Sequence, residues 1–187
     1  INLTNRCTNH CTFCIRNEGA GVYGSDSLWL DREPTAKEVL DDLGKYDFSK
    51  YNEVVFCGYG EPTIRIEELC EVARGIKAMC SLPIRINTNG QGNLIHGRDI
   101  TPMFEGIVDI VSISMNTADA ESYAEVCKPA YGEAAYQAVL DFGLCASKHV
   151  PEVIFSVVRT TIPDEDIEKC RVLAEKYGGK LRVRELD

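Results

Sequence analysis

Short apolar runs of strand character alternate with amphipathic helical stretches along nearly the whole chain, and this alternation limits the possible folds more than any other feature. The runs at 1–4 (INLT), 52–58 (NEVVFCG), 82–90 (LPIRINTNG), 108–116 (VDIVSISMN), 151–160 (PEVIFSVVRT) and 180–186 (KLRVREL) read as strands, the central ones rich in β-branched residues. Between them, 34–46 opens on Pro34 and repeats apolar residues at helical spacing. The stretches 64–80, 118–128, 131–149 and 164–178 do the same, with a poorer helix near 99–105. Asp164 is the expected cap of the last helix and Gly178 its stop. Six strands interleaved with helices imply a parallel sheet with right-handed crossovers. Six units are fewer than the eight of a closed barrel, so a partial barrel and an open doubly wound sheet both satisfy the pattern. No repeat, low-complexity stretch or linker divides residues 1–187, which read as one domain long enough for a substantial core.

In either architecture ligands gather beyond the carboxyl ends of the strands. The polar clusters of this sequence fall on that rim. CTNHCTFC (7–14) follows the first strand and continues as a long, glycine-bearing loop to about Trp29. GYGEP (58–62) follows the second strand and NTNG (87–90) ends the third. SISMN (112–116) ends the fourth, and RTT (159–161) the fifth.

Three cysteines in eight residues, Cys7, Cys11 and Cys14, resemble a metal site left one ligand short. A structural zinc site takes four ligands and a redox pair takes two. The polar flanks NLTNR and TNH argue against three unrelated core cysteines. Cys7, His10, Cys11 and Cys14 would supply a Cys3His zinc set, but His10 and Cys11 are adjacent, and neighbouring side chains converge poorly on one tetrahedral ion. The third reading is a four-iron cluster on three thiolates. Such clusters normally use four cysteines, so with three, one iron is left for an outside ligand. Cys70, Cys80, Cys127, Cys145 and Cys170 lie in or near helical stretches and read as packing residues. His10, His96 and His149 read as solvated.

The spacing of the three cysteines, with Phe13 before the last and GYGEP after the second strand, resembles the radical S-adenosyl-L-methionine (SAM) superfamily. The order of strands and rim motifs agrees over nearly the whole chain. The resemblance implies a partial (β/α)6 TIM-like barrel with its site at the C-terminal rim. It implies a 4Fe-4S cluster on Cys7, Cys11 and Cys14, whose open iron takes the amino and carboxylate groups of SAM. The implied activity is that of an enzyme: SAM is cleaved to a 5′-deoxyadenosyl radical, which abstracts hydrogen from an unidentified small molecule or polypeptide. Phe13 matches a position near the adenine. Gly58, Tyr59, Gly60 and Glu61 match the loop that receives the SAM amino group, although Tyr59 replaces the commoner glycine. Ser114 and Asn116 match contacts to the ribose or methionine part, with Ser112 one step deeper on the same face. Asn87 and Asn89 sit on the third-strand rim, and Arg159 is a fixed cation suited to a carboxylate. Arg182 and Arg184 lie on the last strand, and one of them is a candidate to face the cavity.

The implied partners are an electron donor of flavodoxin or ferredoxin type and the substrate. More narrowly, the run FCGYGEPT…INTNG resembles small radical SAM proteins associated with TatD-type nucleases, an association that defines no reaction. Two rivals stay open. One is a glycyl-radical-type activating enzyme acting on a partner protein, which NTNG invites. The other is a non-catalytic iron–sulfur or zinc module that scaffolds a partner, against which GYGEP and the polar rim speak.

A formal charge of −9 disfavours a nucleic-acid clamp, which needs a basic surface. No apolar run reaches membrane-spanning length. Nine cysteines, an odd number without regular spacing, suit a reducing cytoplasm better than a secreted disulfide scaffold.

Overall fold

The computed structural model describes residues 1–18, 27–159 and 162–185. Thr160 and Thr161, expected on the rim beside Arg159, lie outside the described residues, as does much of the loop leading to Trp29. Five strands form one sheet: β1 (Val54–Phe56), β2 (Ile84–Thr88), β3 (Ile110–Ser114), β4 (Glu152–Val158) and β5 (Lys180–Arg184). The helices are α1 (Ala36–Leu43), α2 (Ile66–Met79), α3 (Gly92–His96), α4 (Ala120–Cys127), α5 (Ala134–Ala146) and α6 (Asp164–Lys176).

Every neighbouring pair of strands is parallel, and the spatial order is β1-β2-β3-β4-β5. That order decides between the two architectures. A doubly wound sheet reverses its winding part-way, whereas here each crossover advances in one direction. Right-handed crossovers that never reverse put the helices on one face and curl the sheet as in a barrel. The result is an open, partial barrel. β4 is buried from Val153 to Val158, as expected of a strand covered on both faces, and β2 alternates buried Ile84, Ile86 and Thr88 with half-buried Arg85 and Asn87. Ile86, Ile113 and Phe155 of the sheet share one core with Leu69 and Ile76 of α2 and Phe142 of α5, all fully buried. Phe142 meets Phe104 edge-on, with ring centroids 6.3 Å apart.

Four expectations are corrected. Residues 1–4 form no strand. They dock on the edge of β1 through the bonds Ile1 N to Val55 O and Cys57 N to Ile1 O. The side chains of Asn2 and Thr4 take nearby backbone N–H groups, Thr4 N and Arg6 N, and so compete with a ladder. The sheet therefore has five strands rather than six. The helix expected near 99–105 is a 3-10 turn, Thr101–Phe104, and the short α3 precedes it. Finally, Pro163 and not Asp164 occupies the cap of α6; the Asp164 carboxylate binds Arg159 instead. Helix α1 starts at a Thr35–Glu38 capping box, and Gly178, with φ of +81°, follows the end of α6. None of the described helices is long and apolar enough to cross a membrane.

Candidate active site

The cysteine loop is laid against the chain that leaves α4. His10 N donates to Cys127 O at 3.0 Å, Thr12 N to Val126 O at 2.9 Å, and Ala130 N to Thr8 O at 2.8 Å. Lys128, in the left-handed region at φ of +44°, ends the helix and turns these groups toward the loop. Beneath lies a buried polar triangle. Gln91 Nε2 donates to Asn9 Oδ1 at 2.7 Å and to the Tyr123 hydroxyl at 3.1 Å, and Asn9 Nδ2 donates to the same hydroxyl at 3.1 Å. Burial raises the Tyr123 pKa, so the phenol is neutral at ordinary pH. The loop thus has its shape from main-chain bonds and a buried side-chain network, in which Gln91 Oε1 alone lacks a partner among the described residues.

Two of the thiols, Cys7 and Cys11, are held protonated. Burial pushes Cys7 up to about 11. A hydrogen bond with Cys127, and burial after it, push Cys11 well above the usual thiol range. Metal loading must displace these protons, as it does wherever thiolates are ligands.

The GYGEP segment closes against the start of the loop. Glu61 N donates to Arg6 O at 2.8 Å. A Cβ at Gly60 would overlap the carbonyl oxygen of Thr4 and lie 2.6 Å from that of Arg6, so only glycine allows this approach. The Glu61 carboxylate is buried in the wall and accepts four hydrogen bonds. Thr63 N (3.0 Å), Thr63 Oγ1 (2.6 Å) and Thr88 Oγ1 (2.7 Å) reach Oε1, and Asn89 N (2.6 Å) reaches Oε2. Burial pushes its pKa up, against these four donors. Glu61 therefore ties the loop after β1 to the end of β2. The buried Tyr59 ring lies 4.8 Å from that of Trp29.

A cavity of about 310 Å³ opens between these loops and the strand ends. Cys7, Cys11, Cys14 and Phe13 line it, with the whole run Gly58, Tyr59, Gly60 and Glu61. β2 contributes Asn87, followed by Asn89, and the end of β3 contributes Ser114 and Asn116. Asn116 sits at φ of +63°, a conformation asparagine tolerates, and its Nδ2 donates to Cys127 Sγ at 3.3 Å. Among the described residues, the buried Oδ1 atoms of Asn87 and Asn116 have no hydrogen-bond partner. Two unmet acceptors beside three thiols suit a ligand that carries N–H or O–H donors and sits against a metal group.

Two expected residues stand outside this cavity. Ser112 is buried on β3 below Ser114 and does not line it. Arg159 lies on the rim, but Val158 takes the cavity-facing position and strand alternation turns Arg159 away. Its guanidinium binds Glu185 at 2.9 Å and Asp164 at 3.1 Å. Arg184, not Arg182, lines the cavity from β5. The histidines stay apart: His10 is exposed, His96 Nε2 pairs with Thr63 O at 2.7 Å, and His149 with Glu105 at 3.3 Å. Sequence reasoning missed Asn9, Gln91, Tyr123 and Thr88. It also missed Cys57, which follows β1 and lines the cavity mouth.

Among the described residues, no three His, Cys, Asp or Glu side chains converge on a single ion. With His10 at the surface, the Cys3His zinc set is not assembled. Three soft thiol donors lining one cavity instead fit a multi-iron cluster.

Comparison with known proteins agrees. The family described as the radical SAM superfamily matches residues 1–174. A GTP 3′,8-cyclase of Lactiplantibacillus plantarum is 27% identical over 84% of this chain and 44% of its own. One from Corynebacterium glutamicum (strain ATCC 13032) is 29% identical over 99% of this chain and 48% of its own. The chain thus spans less than half the length of these relatives. In fold it resembles Streptococcus suis SuiB bound to its precursor peptide SuiA, with a TM-score of 0.72 and 15% identity over all of this chain and 38% of SuiB. SuiB has also been solved with S-adenosylmethionine bound, and that structure superposes with a TM-score of 0.69.

Proposed function

The chain belongs to the radical SAM superfamily, whose members use a 4Fe-4S cluster and SAM, and on that premise we propose that its cavity cleaves SAM and directs hydrogen abstraction from a second, bound substrate. The reading rests chiefly on one observation. The three cysteines share a single cavity with the GYGE run and with two buried, unpartnered asparagine oxygens. When bound, the cluster and SAM supply an electron and a 5′-deoxyadenosyl radical able to remove a hydrogen atom.

The rest is positioning by this chain. Cys7, Cys11 and Cys14 hold the cluster on a loop already shaped by the chain after α4. Phe13 covers one side. Asn87 and Asn116 accept hydrogen bonds from the amino group or ribose hydroxyls of SAM, and Ser114 assists beside them. Gly60 lets the loop after β1 close on the cysteine loop, which narrows the cavity and limits water. Arg184 and Glu185 border the side left open for the substrate.

The relatives' names point to two substrate classes, GTP in the cyclases and a peptide in SuiB. Nucleotides and short peptides are therefore the first compounds to screen. The electron donor is of flavodoxin or ferredoxin type, in keeping with a cytoplasmic setting where an exposed iron stays reduced. A TatD-type nuclease is the partner suggested by the FCGYGEPT run, and anaerobic co-purification tests it. The function is tested by incubating anaerobically reconstituted protein with SAM and dithionite. 5′-Deoxyadenosine and methionine should form in equal amounts; a non-catalytic scaffold yields neither, whereas an activating enzyme yields both and is told apart by a glycyl radical left on its partner protein.

A further inference from the structure

We propose that Arg16 is a positioning residue that sets the reduction potential of the cluster, through a fixed N–H···S bond to Cys14 and its charge beside Cys7. The inference rests on the cluster reading above. Arg16 lies two residues after Cys14, in the 3-10 turn Ile15–Glu18. Its half-buried guanidinium is held at three points. Nε donates to Cys14 Sγ at 3.4 Å, Nη1 to Asn5 O at 3.3 Å and Nη2 to Asn9 O at 3.4 Å. Asn5 and Asn9 lie on either side of Cys7, so the planar fork spans the first ligand while pointing at the third. This geometry is out of reach for lysine, whose ammonium is a point charge on a flexible stem.

The cation lies beside Cys7 as well, since the two carbonyls that hold it belong to residues flanking Cys7 in the chain. Two further donors face Cys7 Sγ: Asn9 N at 3.5 Å and Asn89 Nδ2 at 3.8 Å. Cys11 faces Cys127 instead. Two of the three thiols thus have N–H donors and a cation aimed at them before any metal arrives.

Reduction adds one electron, and so one negative charge, to a group already bound by three thiolates. Donors to sulfur and a nearby fixed cation favour the reduced form and raise the potential. Without Arg16 the same cluster is harder to reduce, although its ligands are intact.

The test is an EPR-monitored redox titration, without SAM, of reconstituted wild type, Arg16→Gln and Arg16→Lys, with iron counted in each. At the wild-type midpoint, the ratio of reduced to oxidised cluster should fall about tenfold in Arg16→Gln, equal to about 59 mV for one electron. Arg16→Lys should recover part of that shift. An iron-loaded Arg16→Gln variant with an unchanged midpoint overturns the proposal. Should that variant fail to load iron, wild type labelled with 15N-arginine carries the test. Its reduced cluster should show 15N coupling by pulsed EPR, and no coupling overturns the assignment. Wild type that binds no iron would instead defeat the functional reading, a separate and visible failure.

Discussion

Replacing Glu61 by glutamine changes no volume but removes one acceptor from a site that uses both carboxylate oxygens. Oε1 receives three donors and Oε2 receives Asn89 N at 2.6 Å. In one orientation the new amide NH2 faces the Asn89 N–H. In the other it faces the N–H of Thr63, which cannot turn to accept as the threonine hydroxyls can. Either way a buried backbone donor loses a charged acceptor, at a cost of about 1.5–3 kcal/mol. Alanine leaves all four donors without an acceptor, at about 1–3 kcal/mol for each that water does not reach. That is a large share of the roughly 5–15 kcal/mol that holds an ordinary domain together. Urea unfolding of the apoprotein measures this as a lower midpoint at unchanged slope, with alanine below glutamine. Cluster loading should fall in the same order, because Asn89 also bonds Thr8 of the cysteine loop at 2.8 Å. A glutamine variant as stable as wild type would refute the reasoning, since it would mean that Glu61 is held neutral and donates a proton of its own.

Replacing any one of Cys7, Cys11 or Cys14 by alanine should abolish iron binding after anaerobic reconstitution, whereas Cys70→Ala and Cys145→Ala should keep it; iron and sulfide assays decide. Gly60→Ala should lose the cluster despite intact ligands, because the methyl group overlaps backbone carbonyls that cannot move aside; overpacking of this kind costs about 1–3 kcal/mol, readable as a lowered thermal midpoint. Arg159→Lys should leave SAM affinity by equilibrium dialysis unchanged, because Arg159 does not line the cavity and its guanidinium is engaged by Glu185 and Asp164. A weakened affinity there would restore Arg159 to the cofactor site.

The strands and helices were legible where burial wrote a clear period. VVF, IRINT and IFSVV carry their apolar pattern in sequence, and all are strands. INLT was misread because alternation cannot show that Asn2 and Thr4 spend their side chains on neighbouring backbone. The three cysteines and GYGEP were found because local spacing carries them. The network of Asn9, Gln91 and Tyr123 was invisible, since its members lie as far as 114 residues apart and only folding brings them together. Arg159 and Arg184 posed the same question on two adjacent strands. Their side depends on which residue of each strand end meets the cavity, and that register is set by pairing such as Val158 with Arg184. Arg16 had one local signal, its place two residues after Cys14, but no sequence pattern reveals the carbonyls that hold it.

The central claim is that this cavity holds a cluster with an iron open to SAM, and the EPR spectrum of the reduced, reconstituted protein tests it most directly. With three cysteine ligands and SAM in the cavity, adding SAM should shift the g values of the reduced cluster, and Cys14→Ala should give no such signal. A wild-type spectrum that stays the same at saturating SAM would show that the cofactor does not reach the iron, and would contradict the account.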